Sequence, residues 1–194
     1  MNSHAQQAAP YHERQRLLLC AVHAANNLLQ RPEFTQSQFD QLCQSLSPQQ
    51  TWLLNPHRNP LGLGNYDANV LDAALQSRGL RLVWFDRRKP VACLLPDRIE
   101  GFLINYQSAA CSVLPIIRSR HWVALRRCGP NNEYHNLDSK MAEPSLIGSG
   151  QPADLLHYLQ ARLDADASLQ ILPVVLPEVA DSGDWQLAQP ASDE

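Results

Sequence analysis

The change in hydrophobic periodicity along the chain limits the fold more than any other feature of the sequence. Up to Gly79 the apolar residues recur at helical spacing, and from Leu80 onward they fall in short β-prone runs. Leu17, Val22, Ala25, Leu28 and Leu29 predict a buried helix over 17–29, stopped by Pro32, with Cys20 in its first turn. Thr35 and Gln38 stand in capping-box spacing, with Phe34 and Phe39 placed as a hydrophobic staple. They predict a second helix with Phe39, Leu42 and Leu46 on its inner face. Asp67 as N-cap, Val70, Leu71, Ala74 and Leu75 facing inward, and Gly79 as the stop predict a third. Segments 80–85, 101–106, 121–126, 134–137 and 169–176 read as strands, and 154–163 as a further amphipathic helix. Helices first and closely spaced strands later favour an α+β domain with an antiparallel sheet over a parallel βαβ one.

With 194 residues, 44% of them hydrophobic, the chain can build one good core but not two. A net charge of -3 and the lack of any long Lys/Arg run speak against nucleic acid and anionic membranes as partners. No apolar stretch approaches the roughly 18 residues a membrane span requires, and the first ten residues lack the layout of a signal peptide. A cytosolic protein is expected. The five cysteines are odd in number, scattered and without a Cys-x-x-Cys pair, which suggests free thiols rather than a disulfide framework or a four-thiolate zinc site. Residues 1–10 and 186–194 read as tails around one domain at 11–185. Residues 47–66, rich in Pro, Asn and Gly, form the longest irregular stretch, which is expected to be disordered until a partner binds.

The chemistry points to a thiol. A cysteine at the start of a helix meets the positive end of the macrodipole and unpaired N–H groups, both of which favour thiolate, and Cys20 is the cysteine so placed. His121 and Asn136 lie on consecutive predicted strands, equally far from a turn centred between Cys128 and Gly129. That register sets them opposite each other, close enough for an amide oxygen to hold an imidazole N–H. A turn shifted by one residue brings Asp138 opposite His121 instead, and Asp138 shares the face of Asn136. Spacing does not choose between them. Cysteine, histidine and orienting amide occur in the chain order of Cys-His-Asn proteases. The backbone N–H of Cys20 and the side-chain amide of Gln15, just upstream, are the natural oxyanion donors. Cys20 and His23 share a Cys-x-x-His spacing, but no further zinc ligands of suitable spacing accompany them, and His12 has no derivable catalytic role.

At Tyr11-His12-Glu13-Arg14-Gln15, Leu19-Cys20-Ala21-Val22-His23-Ala24 and Asn26-Asn27-Leu28-Leu29-Gln30 the chain resembles the Josephin signature. The blocks Gly64-Asn65-Tyr66-Asp67, His121-Trp122-Val123-Ala124-Leu125 and Asn136-Leu137-Asp138-Ser139 extend the likeness in the same order, most of all to the small stand-alone members. The resemblance implies a papain-like cysteine protease fold, its helical part packed on an antiparallel sheet. It also implies a deubiquitinase that cleaves after the C-terminal glycine of ubiquitin, acting on polyubiquitin or ubiquitinated proteins. The family's nucleophile falls on Cys20, its base on His121, its orienting amide on Asn136 and its oxyanion-hole glutamine on Gln15. No metal or organic cofactor is implied, and a monomer is expected. A ubiquitin-binding module with little activity and a papain-like amidase on another substrate are the competing readings.

Overall fold

The computed structural model describes residues 9–49, 56–57, 65–109 and 118–187. The three early helices form as α1 (Cys20–Leu29), α2 (Gln36–Leu46) and α3 (Ala68–Gln76). The capping box of α2 is closed in both directions: the Thr35 hydroxyl accepts from Gln38 N, and the Gln38 side chain accepts from Thr35 N. Phe34 and Phe39 meet edge to face with ring centroids 5.7 Å apart. Its inner face differs at one position, since Cys43 is fully buried and Leu46 is exposed. A helix advances about 100° per residue, so Leu46 keeps the direction of Phe39 and Leu42 but, as the last residue of α2, is exposed there, while Cys43 widens the buried face. The Asp67 carboxylate caps α3 by accepting from Asn69 N and Val70 N, and Gly79, at positive φ, lets the chain turn off the helix.

Two single-turn 3-10 helices lie at 91–93 and 96–98, and the chain then builds most of its sheet. The strands are β1 (Arg81–Leu82), β2 (Gly101–Ala109), β3 (Arg118–Cys128), β4 (Glu133–Asn136), β5 (Ser145–Leu146) and β6 (Gln170–Val175). Helix α4 (Pro152–Ala165) precedes β6, and a short α5 (Pro177–Ser182) follows it. The sheet order is β1-β6-β2-β3-β4-β5, and every pairing is antiparallel, as the order of periodicities predicts. Of the irregular stretch 47–66, the structure describes 47–49, 56–57 and 65–66; the expectation of disorder for the rest, like Cys111, lies outside the described residues.

Alternation along the strands divides the core between two faces. Leu103, Trp122, Ala124, Leu172 and Val174 pack under α1 and α3, while Ile104, Val123, Leu125 and Ile171 pack with Leu155 and Leu159 of α4. Helix α1 comes very close to the sheet at Gly101, where a Cβ atom would stand 2.7 Å from Leu28 Cδ1 and 3.0 Å from the Leu125 carbonyl oxygen. No helix among the described residues is long and apolar enough to cross a membrane.

Candidate active site

Cys20 is the first residue of α1, whose N-cap, Leu19, offers no side-chain acceptor and whose first turn holds no acidic residue. The unsatisfied N–H end of the helix is thus left to the thiol. β4 stops pairing with β3 at Leu125↔Asn136, and among the described residues no strand pairs with β3 on that side around His121. Cys20 sits against this stretch, with Sγ 3.9 Å from the Arg120 carbonyl oxygen, the residue next to His121. The environment does not make a thiolate. Burial pushes the Cys20 thiol up from its ordinary value, while the N–H groups of Trp122 and Ala21 and the charge of Lys140 pull down without winning. This corrects the expectation from the helix dipole: at 4% exposure, desolvation outweighs it.

The turn after β3 lies two residues later than the sequence spacing suggests. Cys128 pairs with Glu133, so the loop is 129–132, with Gly129 and Asn132 at positive φ. The shifted register carries Asn136 to Leu125 and away from His121. The carboxylate oxygen Asp138 Oδ1 holds His121 Nε2 instead, at 2.7 Å, and the orienting contact implied for Asn136 is made by Asp138. Strand pairing does not deliver it. After Leu137 the chain leaves the strand in a polar turn: Asp138 N donates to Asn136 Oδ1, Lys140 N donates to Asp138 Oδ1, and Met141 N donates to the Asp138 carbonyl. Burial alone would raise the Asp138 carboxyl. Hydrogen bonds from His121 and Lys140 N, with the charges of both residues, outweigh it and hold the group below the usual carboxylate range.

His121, only 1% exposed, faces the α4 side of the sheet and lies directly opposite Tyr106 of β2; their rings meet edge to face at 5.5 Å. With Nε2 committed to Asp138, Nδ1 is the nitrogen left to serve a nucleophile. Gln15 is tied to the same turn, its N–H donating to the Ser139 carbonyl at 2.6 Å and its Oε1 accepting from the Ser139 hydroxyl. Its amide nitrogen donates to Leu17 O at 2.8 Å, which uses one of its two hydrogens. Leu17 carries a φ of 53°, rare for a residue of its bulk, and is 65% exposed three residues before α1.

The signature residues around Cys20 form a polar strap. Glu13 accepts from Tyr11, from Asn26 and, at 2.6 Å, from His23 Nδ1, while His23 Nε2 accepts from Arg16 N. Both His23 nitrogens are therefore engaged, which disposes of the Cys-x-x-His zinc spacing. His12 Nε2 reaches the Asp138 carbonyl at 2.9 Å and Asn27 Nδ2 reaches the Leu137 carbonyl at 2.9 Å, so the N-terminal segment holds the turn that carries Asp138. Arg120 and Trp122 line an open cleft of about 390 Å³ together with Tyr66, Asn69 and Trp84.

The sequence model of the Josephin family matches residues 15–165, which include Cys20, His121 and Asp138. The chain belongs to the Josephin family. It is 45% identical to human Josephin-2 over 177 residues, covering 90% of each chain, and 44% identical to a Josephin-like protein of Drosophila melanogaster over 188 residues, covering 92% of this chain and 81% of that one. Chicken ataxin-3 is 28% identical over 166 residues, 77% of this Josephin and 42% of ataxin-3. Sequence reasoning weighed Asp138 and set it aside. It missed the clasp of Tyr106 on His121 and the strap from His12 and Asn27, for which a linear pattern carries no signal because the partners are more than a dozen residues apart.

Proposed function

We propose that this Josephin, through its domain at 11–185, is a cysteine-type deubiquitinase of the cytosol that hydrolyses the peptide or isopeptide bond after the C-terminal glycine of ubiquitin. The observation that carries the reading is a buried imidazole, fixed through Nε2 by Asp138, on the strand whose neighbouring Arg120 carbonyl meets the Cys20 thiol at the head of α1. His121 Nδ1 takes the Cys20 proton as sulfur attacks the glycine carbonyl, forming the S–C bond. Cys20 N–H and the second amide hydrogen of Gln15 stabilise the oxyanion. The imidazolium, held in orientation by Asp138, gives its proton to the leaving amine. Water then cleaves the thioester with His121 again as base, and thiol and imidazole return to their starting states. An extended tail would approach along the cleft lined by Trp84 and Asn69, which shares Arg120 with the Cys20 contact.

The covered, uncharged Cys20 favours a second reading, a ubiquitin-binding module with little activity of its own. A ubiquitin bearing a C-terminal electrophile separates the two. An adduct of ubiquitin mass on the wild type and none on Cys20→Ala supports the enzyme; tight binding without an adduct supports the module. Absence of both would turn attention to another amide substrate.

A further inference from the structure

Asn136, Tyr158, Arg162 and Tyr106 join end to end around the His121–Asp138 pair. Asp138 N donates to Asn136 Oδ1 at 3.0 Å, and Asn136 Nδ2 donates to the Tyr158 hydroxyl at 3.3 Å. The same hydroxyl accepts from Arg162 Nη1 at 2.9 Å. The Arg162 guanidinium lies 4.9 Å from the centre of the Tyr106 ring, and Tyr106 packs edge to face on His121. His121 bonds Asp138, and the ring of contacts closes. Tyr158 and Arg162 are four residues apart on α4, so one helix face presents both. We propose that Arg162 is a positioning residue for the His121–Asp138 pair, acting on the imidazole through Tyr106 and on the Asp138 backbone through Tyr158 and Asn136.

Tyr106 restrains the imidazole by ring contact alone, and a ring so held is free to slide; the guanidinium, 4.9 Å from the centre of the tyrosine ring, restrains the tyrosine in turn. A planar fork can stack on Tyr106 and donate to Tyr158 at once, which an ammonium on a flexible stem does less well. On the other branch, Asn136 has left the His121 contact to Asp138, yet its amide still sets the Asp138 turn, and Tyr158 fixes that amide. Helix α4 thereby bears on the candidate site without reaching it.

This inference rests on His121 and Asp138 being the base and its orienting partner, so its test has one readout that needs no substrate. In Arg162→Met, kcat on a ubiquitin C-terminal amide should fall about tenfold with KM within about twofold, the mark of misplaced groups rather than lost binding. Arg162→Lys should recover only part of the loss. Tyr158→Phe, which removes one oxygen and endangers folding least, should cost about threefold, and the double variant no more than Arg162→Met alone. In NMR spectra, the His121 Nε2–H signal should be slow to exchange in the wild type and broadened in Arg162→Met. A kcat that falls while this signal stays unchanged overturns the proposal, as does an unchanged signal with unchanged kcat in folded Arg162→Met and Tyr158→Phe. If the wild type is inert on ubiquitin but the signal broadens in the variants, positioning stands and the substrate assignment falls.

Discussion

The thiol side of the site and the imidazole side are built to different standards. Cys20 has a weak contact to one carbonyl, an uncapped helix end and a burial that keeps it neutral. His121 and Asp138 are held by a short hydrogen bond, a ring contact and a turn braced from the N-terminal segment and from α4. The imidazole and carboxylate are fixed in place, whereas the thiol is covered and burial holds its pKa up. In such a site selectivity for the substrate can reside in what opens the thiol, because the imidazole needs no rearrangement.

The largest expected effect tests the rigid side. Asp138→Ala should lower kcat on the order of a hundredfold, while Asp138→Asn, which keeps an acceptor, should lose much less. Asn136→Ala, which removes only support from the Asp138 turn, should cost about tenfold by the same assay; a larger loss than in Asp138→Ala would return the orienting role to Asn136. The nucleophilic side should show itself in alkylation. At neutral pH, iodoacetamide should modify Cys20 at least about tenfold more slowly in the folded chain than in denaturant, with the rate rising only above the ordinary thiol range. Equal rates would mean an open thiolate.

A smaller effect concerns acid stability. Because folding holds the Asp138 carboxyl below its unfolded value near about 4, its ionised form contributes stability above that pH, and the contribution disappears as pH falls through the folded value. Asp138→Asn should therefore flatten the loss of thermal stability below about pH 4 relative to the wild type, and Glu13, lowered despite its burial by bonds from His23, Tyr11 and Asn26, should behave likewise in Glu13→Gln. Smallest is Thr35→Ala, far from either side, which should cost about 1 kcal/mol by denaturant unfolding and leave kcat unchanged.

Local interactions account for what was legible in the sequence. The capping box at Thr35, the Asp67 cap and the stop at Gly79 involve neighbours within a few residues, and all three stand in the structure as read. Period-two alternation likewise placed His121 on a strand. Hairpin register is different, because it depends on loop length: a four-residue loop at 129–132 rather than a turn at Cys128 moved Asn136 to Leu125. With the turn centre two residues later, strand pairing sets neither Asn136 nor Asp138 opposite His121, and the polar turn after Leu137 brings Asp138 there instead.

The sequence by itself determined the α+β order, the helix that carries Cys20, the strand that carries His121 and the family, since each is written in spacing or in a contiguous block of residues. Tertiary structure alone decided that Asp138 takes the imidazole, that burial pushes the thiol up, and that Arg162 of α4 meets the Tyr106 ring that packs on His121. The reason is that desolvation and long-range side-chain contacts exist only after the sheet has brought distant segments together, and at Cys20 the cost of burial exceeds the pull of the helix end that the linear chain displays.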